Sequence, residues 1–356
     1  MITAAPTRLQ PSGWQQAWRE AVRDPRELLS LLGLEGTIPV SDAAAAAFSL
    51  RVPRGFVARM RHGDPHDPLL RQVLPLDEEM RLVPGFDLDA VGDTAAGAGQ
   101  GLIRKYAGRA LLIATGSCAV NCRYCFRRHY PYSEQTASAG AWGAAVAAIA
   151  ADPTLHEVIL SGGDPLSLST PKLAELTSAL AVVPHVRRLR IHTRLPVVLP
   201  ERVDDALLAW LGALPWPVAL VLHANHAREF DAQVDQALAR LRGAGVQLLN
   251  QAVLLRGVND SLEAQMALHE RGFAAGVLPY YLHQLDRVAG AAHFEVEEST
   301  ALALHAAMRA QLPGYLVPRL VREVAGDDSK RPLLPPMDGA AGPWHNAASQ
   351  GRNACR

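Results

Sequence analysis

The stretch Leu111-Leu-Ile-Ala-Thr-Gly-Ser-Cys-Ala-Val-Asn-Cys-Arg-Tyr-Cys-Phe-Arg-Arg128 decides how the rest of the chain is interpreted. Its first four residues are apolar and turn residues follow them, which predicts a short buried strand. Cys118, Cys122 and Cys125 then form a C-x3-C-x2-C pattern on the loop after that strand. In α/β folds the carboxyl ends of the strands carry the ligand sites. The sequence therefore predicts a reactive cysteine loop at the edge of an α/β sheet.

The three cysteines of this loop favour an iron–sulfur site over a disulfide. An odd number of thiols within so short a loop cannot form a disulfide framework. Three thiolates can hold three irons of a 4Fe-4S cluster and leave the fourth iron open to a small chelating ligand. Zinc is a weaker alternative, because no fourth cysteine or nearby C-x2-C pair completes a four-sulfur site.

Composition limits the class of protein. A chain of 356 residues can bury a large core, as one α/β domain with additions or as two domains. The formal net charge is +0 and the pI is about 7.2, so no charge pattern indicates nucleic acid or an anionic membrane as a partner. The sequence has no apolar signal core and no apolar run of about 18 residues, and its few cysteines fit a reducing compartment. We expect a soluble cytoplasmic protein.

From residue 111 onward, apolar runs that predict strands alternate with helical patterns. The predicted strands are 111–114, 157–160, 186–193, 218–223, 246–255 and 277–282, and the predicted helices are 137–151, 171–183, 204–214, 231–244 and 262–272. Six β/α units with short connections predict an α/β fold whose parallel sheet curls into an open, partial barrel. A full eight-stranded barrel is the alternative, since the later chain could add strands.

The remaining segments surround this predicted core. Residues 14–33 predict a helix that is broken at Asp24-Pro25, and residues 48–60 predict a further helical stretch. We expect a mostly helical extension over 1–103, the barrel core over 104–300, a C-terminal segment over 301–335 and a flexible tail over 336–356 that carries Cys355.

Other motifs follow the later strands. The glycines of Ser161-Gly-Gly-Asp-Pro-Leu166 allow a backbone to approach a ligand closely, and Asp164 could accept a hydrogen bond from an amine, although such turns are common. Arg194 follows the third strand, where a buried guanidinium needs an anionic partner. His223 in His223-Ala-Asn-His226 would by itself more often be a satisfied core residue. Lys330 lies in a polar loop, where most lysines are solvated charges.

Together these motifs resemble those of the radical S-adenosylmethionine superfamily, and more specifically the lysine 2,3-aminomutase family, over residues 10–335. Besides the cysteine loop and Ser161–Leu166, the matched segments are Arg51-Val-Pro53, Asp64-Pro-His-Asp-Pro-Leu69, His223-Ala-Asn-His226, Asn250-Gln-Ala-Val-Leu-Leu-Arg-Gly-Val-Asn-Asp260, Tyr281-Leu-His-Gln-Leu-Asp286 and Gly314-Tyr-Leu-Val-Pro318. The resemblance implies a barrel of the radical S-adenosylmethionine type and three cofactors: a 4Fe-4S cluster, S-adenosylmethionine and pyridoxal 5′-phosphate.

The resemblance also assigns roles to individual residues, all of which are expectations. The expected cluster ligands are Cys118, Cys122 and Cys125. Pyridoxal phosphate is expected on Lys330, as the catalytic lysine of the C-terminal segment, with Arg109 and Lys105 at its phosphate. S-adenosylmethionine is expected at Ser161, Gly162, Gly163, Asp164, His223 and Gln251. The substrate carboxylate is expected at Arg127, and its ε-ammonium at Asp286 and Glu323.

The sequence also departs from the family pattern. The glycine-rich run before the lysine is here Gly326-Asp-Asp-Ser329, and Glu323 replaces a second aspartate at the ε-ammonium. The cysteines that bind a structural zinc in the clostridial enzymes have no counterparts. This shorter form resembles the branch that makes β-lysine for elongation factor P.

The implied activity is that of an isomerase, an intramolecular aminotransferase that converts L-α-lysine to β-lysine. The implied partners are free L-lysine, an electron donor such as flavodoxin or ferredoxin, and a functional link to elongation factor P and its lysyl ligase, without nucleic acid or membrane. One alternative is an aminomutase of lysine catabolism, or one for another amino acid. A radical enzyme without pyridoxal phosphate would not need Lys330. A non-catalytic iron–sulfur carrier or sensor would need neither Lys330 nor the Gly-Gly-Asp turn.

Overall fold

A nine-stranded sheet organises the computed structural model, which describes residues 13–97, 101–135 and 142–334. The strands lie side by side in chain order. Their bounds are β1 Leu102–Ile103, β2 Arg109–Thr115, β3 Glu157–Gly162, β4 Arg188–Thr193, β5 Val218–Leu222, β6 Gln247–Val253, β7 Leu278–His283, β8 Arg319–Arg322 and β9 Arg331–Pro332. Strands β2 to β8 run parallel, whereas β1 and β9 add antiparallel edges. Within the described residues β1 and β9 do not pair with each other, so the sheet stays open.

Helices connect the parallel strands. The α-helices of the described residues are α1 Gly13–Arg19, α2 Pro25–Leu31, α3 Asp42–Ala47, α4 Arg54–Val57, α5 Pro68–Arg71, α6 Tyr132–Gln135, α7 Trp142–Ala150, α8 Thr170–Ala181, α9 Leu195–Val198, α10 Asp205–Gly212, α11 Ala232–Gly243, α12 Leu262–Ala274 and α13 Glu298–Gln311. Asp204, Asp231 and Ser261 each accept a hydrogen bond from a backbone N–H in the first turn of α10, α11 and α12, which explains why these helices begin there. None of the helices in this part of the chain is long and apolar enough to cross a bilayer.

The apolar core lies between the helices and the sheet. In α8 the side chains of Leu173, Leu176 and Leu180 recur at helical spacing and are completely buried. One continuous apolar cluster extends from Trp14 to Leu333, so the N-terminal helices and the barrel share a core. The division of the chain into domains stays a prediction.

The predicted α/β architecture is confirmed, with differences at both ends. All six predicted strands form, and the sheet is an open barrel rather than the closed eight-stranded alternative. The later chain adds β8 as a seventh parallel strand, beyond the six expected. The predicted helix over 137–151 is described as Trp142–Ala150, while residues 136–141, the tail from 335 and Cys355 lie outside the described residues.

The N-terminal prediction was partly wrong. Residues 14–33 do form two helices with the expected break, and Asp24 caps α2 through the N–H of Arg26. Of residues 48–60, however, only Arg54–Val57 is α-helical. Val52 instead pairs with Val22 in an isolated bridge. Val52 precedes a proline, and that position favours extended backbone.

Candidate active site

One large cavity is lined by every site residue predicted from the sequence. It has a volume of about 1080 Å³, and both the cysteine loop and Lys330 line it. Many of its lining residues lie at or after the carboxyl ends of the parallel strands, including Thr193, His223 and Asp286. This volume lies at the upper end of the range for small-molecule sites, so the cavity has room for more than one ligand.

The cysteine loop is held firmly from outside the cavity. Arg51 donates to the carbonyl of Cys118 at 3.0 Å, and Cys125 N–H closes a turn onto the carbonyl of Cys122 at 3.0 Å. The neighbouring Arg123 is fully buried and pairs with Glu79, with 2.8 Å between Nε and Oε1. These contacts fix the loop backbone, so the three thiols face the same cavity without depending on a ligand for their position.

Burial makes the free thiols costly to ionise. It raises the pKa of Cys118 well above the usual thiol value, with Asp164 and the other two cysteines acting in the same direction. Burial and the adjacent Cys122 raise the pKa of Cys125 to about 11. Thiolates at these positions need a nearby cation, such as an iron ion, to balance their negative charge. No three His, Cys, Asp or Glu side chains of the described residues are grouped as ligands of one metal ion.

The Gly-Gly-Asp turn packs directly on the cysteine loop. A Cβ on Gly163 would lie 2.4 Å from the carbonyl oxygen of Ser117, and one on Gly162, whose φ is +121°, would lie 2.4 Å from the carbonyl oxygen of Thr115. The Gly163 and Asp164 N–H groups donate to these same two loop carbonyls, the first to Thr115 at 2.7 Å and the second to Ser117 at 2.8 Å. The glycines are therefore required by contact between two backbones.

The carboxylate of Asp164 finds its hydrogen-bond donors within the protein. Its two carboxylate oxygens accept four hydrogen bonds, from the hydroxyl of Thr193 and from the N–H groups of Leu166, Arg194 and Leu195. Burial raises its pKa to about 6, although these hydrogen bonds oppose the rise. The structure thus shows Asp164 shaping the turn, and its contact with S-adenosylmethionine stays a prediction.

A β-hairpin positions Lys330. Arg322 of β8 pairs with Arg331 of β9, which brings the next residue, Glu323, close to Lys330. Lys330 Nζ forms an ion pair with Glu323 and lies 5.8 Å from the centre of the Tyr281 ring. The polar loop between β8 and β9 thereby becomes a turn that delivers a lysine into the cavity. Lys330 is not the solvated charge that its loop composition alone would favour.

Five alternating charges run across the cavity. Arg127 Nε donates to Asp93 at 2.6 Å, Asp93 pairs with Lys105 at 2.5 Å, Lys105 lies 3.5 Å from Glu323, and Glu323 pairs with Lys330. Burial opposes ionisation of Asp93, but Arg127 and Lys105 hold its pKa below the usual range. We call this set the charge chain. Lys105 is paired with two carboxylates in this structure, and its expected role at a phosphate stays a prediction.

Asp286 differs from the carboxylates of the charge chain. Its Oδ1 atom is buried and has no hydrogen-bond partner among the described residues. Burial raises its pKa to about 7, although the charge of Lys330 opposes the rise. A carboxylate that is partly protonated at neutral pH and has an unused oxygen is suited to accept a cationic ligand.

Other predicted residues are placed as follows. Gln251 Nε2 contacts His223 Nε2 at 3.0 Å, and burial lowers the pKa of His223 to about 3, so the ring is neutral. The guanidinium of Arg109 lies 4.7 Å from the centre of the Tyr106 ring and forms no ion pair with a described residue, which leaves it free for an anion. Arg194 has the predicted anionic partner, Glu229, at 2.9 Å.

Sequence reasoning missed four cavity residues. Tyr106 donates to Glu323 at 2.6 Å, and Asp93 joins Arg127 to Lys105. His192 and His283 have buried Nε2 atoms without a hydrogen-bond partner among the described residues, and burial lowers the pKa of each well below the usual value. The histidines could have been found from their positions at the ends of two predicted strands. Asp93 and Tyr106 lie in loops and give no such signal.

The chain is similar to known proteins at two levels, a superfamily and a family within it. Residues 112–267 match the model of the Radical SAM superfamily. The chain is 47% identical over 322 residues to the L-lysine 2,3-aminomutase of Escherichia coli, with 90% of this chain and 94% of that protein covered. It is 42% identical to the one from Haemophilus influenzae, with 93% and 98% covered, and 32% identical to the one from Clostridium subterminale, with 89% and 78% covered.

The chain belongs to the L-lysine 2,3-aminomutase family, a family of isomerases. Its superfamily uses a 4Fe-4S cluster and S-adenosylmethionine, and L-lysine 2,3-aminomutases also depend on pyridoxal phosphate.

The donor set of the cavity fits these groups. Three cysteines border one side, an amine is presented by Lys330, and Arg109 is without a carboxylate partner among the described residues.

Proposed function

We propose that this chain converts L-lysine to β-lysine, with the substrate lying between Arg127 and Asp286. The observation that carries the proposal is the unpartnered oxygen of Asp286 inside the cavity. A buried carboxylate without a partner is costly, and an alkylammonium group relieves that cost by restoring an ion pair. A substrate with a distal ammonium is therefore favoured over one with a distal carboxylate.

Arg127 is the proposed site for the substrate carboxylate. Its Nε donates to Asp93 and its Nη1 donates to Ser161 at 3.0 Å, whereas its Nη2 makes no hydrogen bond with a described residue. A guanidinium presents five N–H donors and pairs well with carboxylates. Its side chain is only 7% exposed, so a carboxylate bound there would be shielded from water.

The three cofactors supply the difficult chemistry, namely a carbon radical that removes hydrogen from an unactivated carbon and a π system across which the amino group moves. We propose that Cys118, Cys122 and Cys125 hold the cluster, and that Lys330 holds pyridoxal phosphate with its phosphate near Arg109. The chain's other contribution is orientation and exclusion of water. The neutral, buried His192 and His283 line the cavity without adding charge.

We propose further that the β-lysine serves to modify elongation factor P in the cytoplasm, with a flavodoxin or ferredoxin as electron donor. In favour of this branch, the chain spans 94% of the E. coli relative and 78% of the clostridial one, and it lacks cysteines for a structural zinc.

Isomerisation and cofactor attachment are tested together. Anaerobically reconstituted protein is incubated with L-lysine, and chiral chromatography should detect β-lysine. Borohydride reduction followed by peptide mapping should find a phosphopyridoxyl group on Lys330. The chain has only two other lysines, Lys105 in the cavity and Lys172 on the exposed side of α8, so the assignment is unambiguous. Modification at either of these, or no β-lysine, would contradict the proposal.

The link to elongation factor P needs a separate test. The chain is expressed with elongation factor P and its lysyl ligase in a bacterium without its own aminomutase. Acid hydrolysis of purified elongation factor P should release β-lysine, and the Lys330→Ala variant should release none. If elongation factor P from cells with the Lys330→Ala variant released as much β-lysine, the link would be refuted. The link would also be refuted if elongation factor P released no β-lysine although the wild-type enzyme is active in vitro.

A further inference from the structure

Arg194 connects the cysteine loop to the Gly-Gly-Asp turn. It follows the last residue of β4, and its side chain is 6% exposed. Its backbone N–H donates to Asp164 Oδ2 at 2.7 Å. Its guanidinium Nη1 donates to the sulfur of Cys122 at 2.8 Å. This is a direct contact between a cation and a proposed cluster ligand.

A rigid set of acceptors fixes the guanidinium. Besides the sulfur, Nη1 donates to the hydroxyl of Tyr124 at 2.7 Å, while Nη2 donates to Gln72 Oε1 at 2.7 Å and to Glu229 Oε2 at 2.9 Å. Gln72 and Glu229 are completely buried. All four Nη hydrogens thus have separate acceptors, and rotation away from the sulfur would leave buried partners unsatisfied.

The other contacts of Glu229 show that this frame is anchored away from the cysteine loop. Its Oε1 accepts from the backbone N–H groups of Asn225 and His226, at 2.9 and 3.1 Å. The carboxylate therefore stays in place whatever happens at the sulfur. If Arg194 only supported the fold, its ion pair with Glu229 would be sufficient. The additional hydrogen bond to Cys122 is not explained by such a supporting role.

A cationic hydrogen bond to a cluster sulfur has a defined electrostatic consequence. One-electron reduction adds one negative charge to the cluster and its thiolates, with no bond made or broken, and the electron comes from an external one-electron donor. A fixed positive charge and a hydrogen bond at a thiolate stabilise the reduced state more than the oxidised state. Hydrogen bonds to the sulfurs and local charge are among the factors that set the potential of such clusters.

We propose that Arg194 is a positioning residue that raises the reduction potential of the cluster through its hydrogen bond to Cys122. The inference rests on the proposed binding of the cluster by the three cysteines, but it does not depend on lysine or on pyridoxal phosphate.

The experiment measures the midpoint potential of the cluster in reconstituted holoprotein, by redox titration monitored by electron paramagnetic resonance. The variants are Arg194→Gln, which removes the charge, and Arg194→Lys, which keeps it. Arg202 provides the control: it is also buried, donates to the carbonyls of Leu166 and Leu168, and has no sulfur among its hydrogen-bond partners in the described residues. Iron content and thermal unfolding are recorded for each protein.

We expect Arg194→Gln to shift the ratio of reduced to oxidised cluster about tenfold towards the oxidised state at a fixed donor potential, which corresponds to about 59 mV for one electron. Arg194→Lys should shift it less, and Arg202→Lys should leave it unchanged. An unchanged potential in Arg194→Gln with full iron content would overturn the proposal. Equal shifts in the Arg194 and Arg202 variants would do the same, since they would reflect general destabilisation.

Two further outcomes are also decisive. If both Arg194 variants lose iron while Arg202→Lys retains it, Arg194 holds the ligand in place rather than tuning the potential, and the proposal is wrong. Failure of the proposed function has a different signature, namely wild-type protein without a reducible 4Fe-4S signal or without β-lysine formation. A potential shift in a protein that fails the lysine assay would still support the role of Arg194.

Discussion

Replacing Asp286 by Asn tests the substrate-binding end of the cavity most directly. The substitution keeps the shape of the side chain and removes its charge. Loss of one partner from a buried ion pair costs about 3–5 kcal/mol, and about 1.4 kcal/mol corresponds to a factor of ten. We therefore expect kcat/KM for lysine to fall at least about a hundredfold, while the cluster and the bound pyridoxal phosphate keep their absorption spectra.

The pH dependence provides a second measurement on the same variant. In the empty cavity the pKa of Asp286 is about 7, raised by burial. Below that pH the carboxyl group is protonated and cannot pair with an ammonium, so lysine must displace a proton to bind. The KM for lysine should therefore rise about tenfold for each pH unit below 7 in the wild-type protein, and this slope should be absent in Asp286→Asn.

Asp205 provides the control for the same chemical change. Its side chain is 99% exposed and pairs with Arg240 on the protein surface, so Asp205→Asn should leave both kcat/KM and the pH slope unaltered. Glu323→Gln should cause a smaller loss than Asp286→Asn, because Glu323 already has Tyr106 and Lys330 as partners. Wild-type kcat/KM in Asp286→Asn, or an unchanged slope, would refute the placement of the ammonium at Asp286.

Two further predictions concern the support of the cysteine loop. Glu79→Gln should lower the free energy of unfolding by about 3–5 kcal/mol, because Arg123 and Arg128 would both lose their buried carboxylate partner. Urea denaturation measures this change, and an unchanged midpoint would show that the ion pairs of Glu79 are dispensable. Gly163→Ala should reduce iron retention, since its Cβ would meet a backbone carbonyl of the cysteine loop. Gly143→Ala should retain iron fully, because a Cβ there would contact no described residue outside its own helix turn. Equal retention in the two variants would contradict the steric argument.

The parallel core was predictable because its signals are local. Most of the six strands contain an apolar run that contrasts with its flanks, and β4 alternates polar and apolar residues. Helix N-caps such as Asp231 and Ser261 lie directly before the helical pattern that they begin. Strands β8 and β9 give much weaker signals. Strand β8 has four residues with arginine at both ends, and β9 is an Arg-Pro dipeptide. Their pairing depends on tertiary contact, which no local pattern encodes.

The candidate site likewise contains residues that local sequence signals predict and contacts that only the fold creates. The cysteines and Lys330 were predictable from spacing and from resemblance to a family, and all of them line the cavity. The pairing of Lys105 with Glu323 joins residues 218 positions apart, and the contact of Arg194 with Cys122 spans 72. Arg194 could be predicted to need an anion, but the sulfur contact could not, because chain separation of this size is resolved only by the fold.

The charge chain has a consequence for the thermodynamics of recognition. Arg127 is already paired with Asp93 in the empty cavity, so a substrate carboxylate at the proposed site competes with an existing partner, whereas the distal ammonium meets Asp286, whose Oδ1 has no partner among the described residues. Binding then resembles ion exchange at the carboxylate end and addition of a new ion pair at the ammonium end. Selectivity comes from matched spacing, because a diamine has no carboxylate to replace Asp93 and an amino acid of the wrong length leaves Asp286 without a partner.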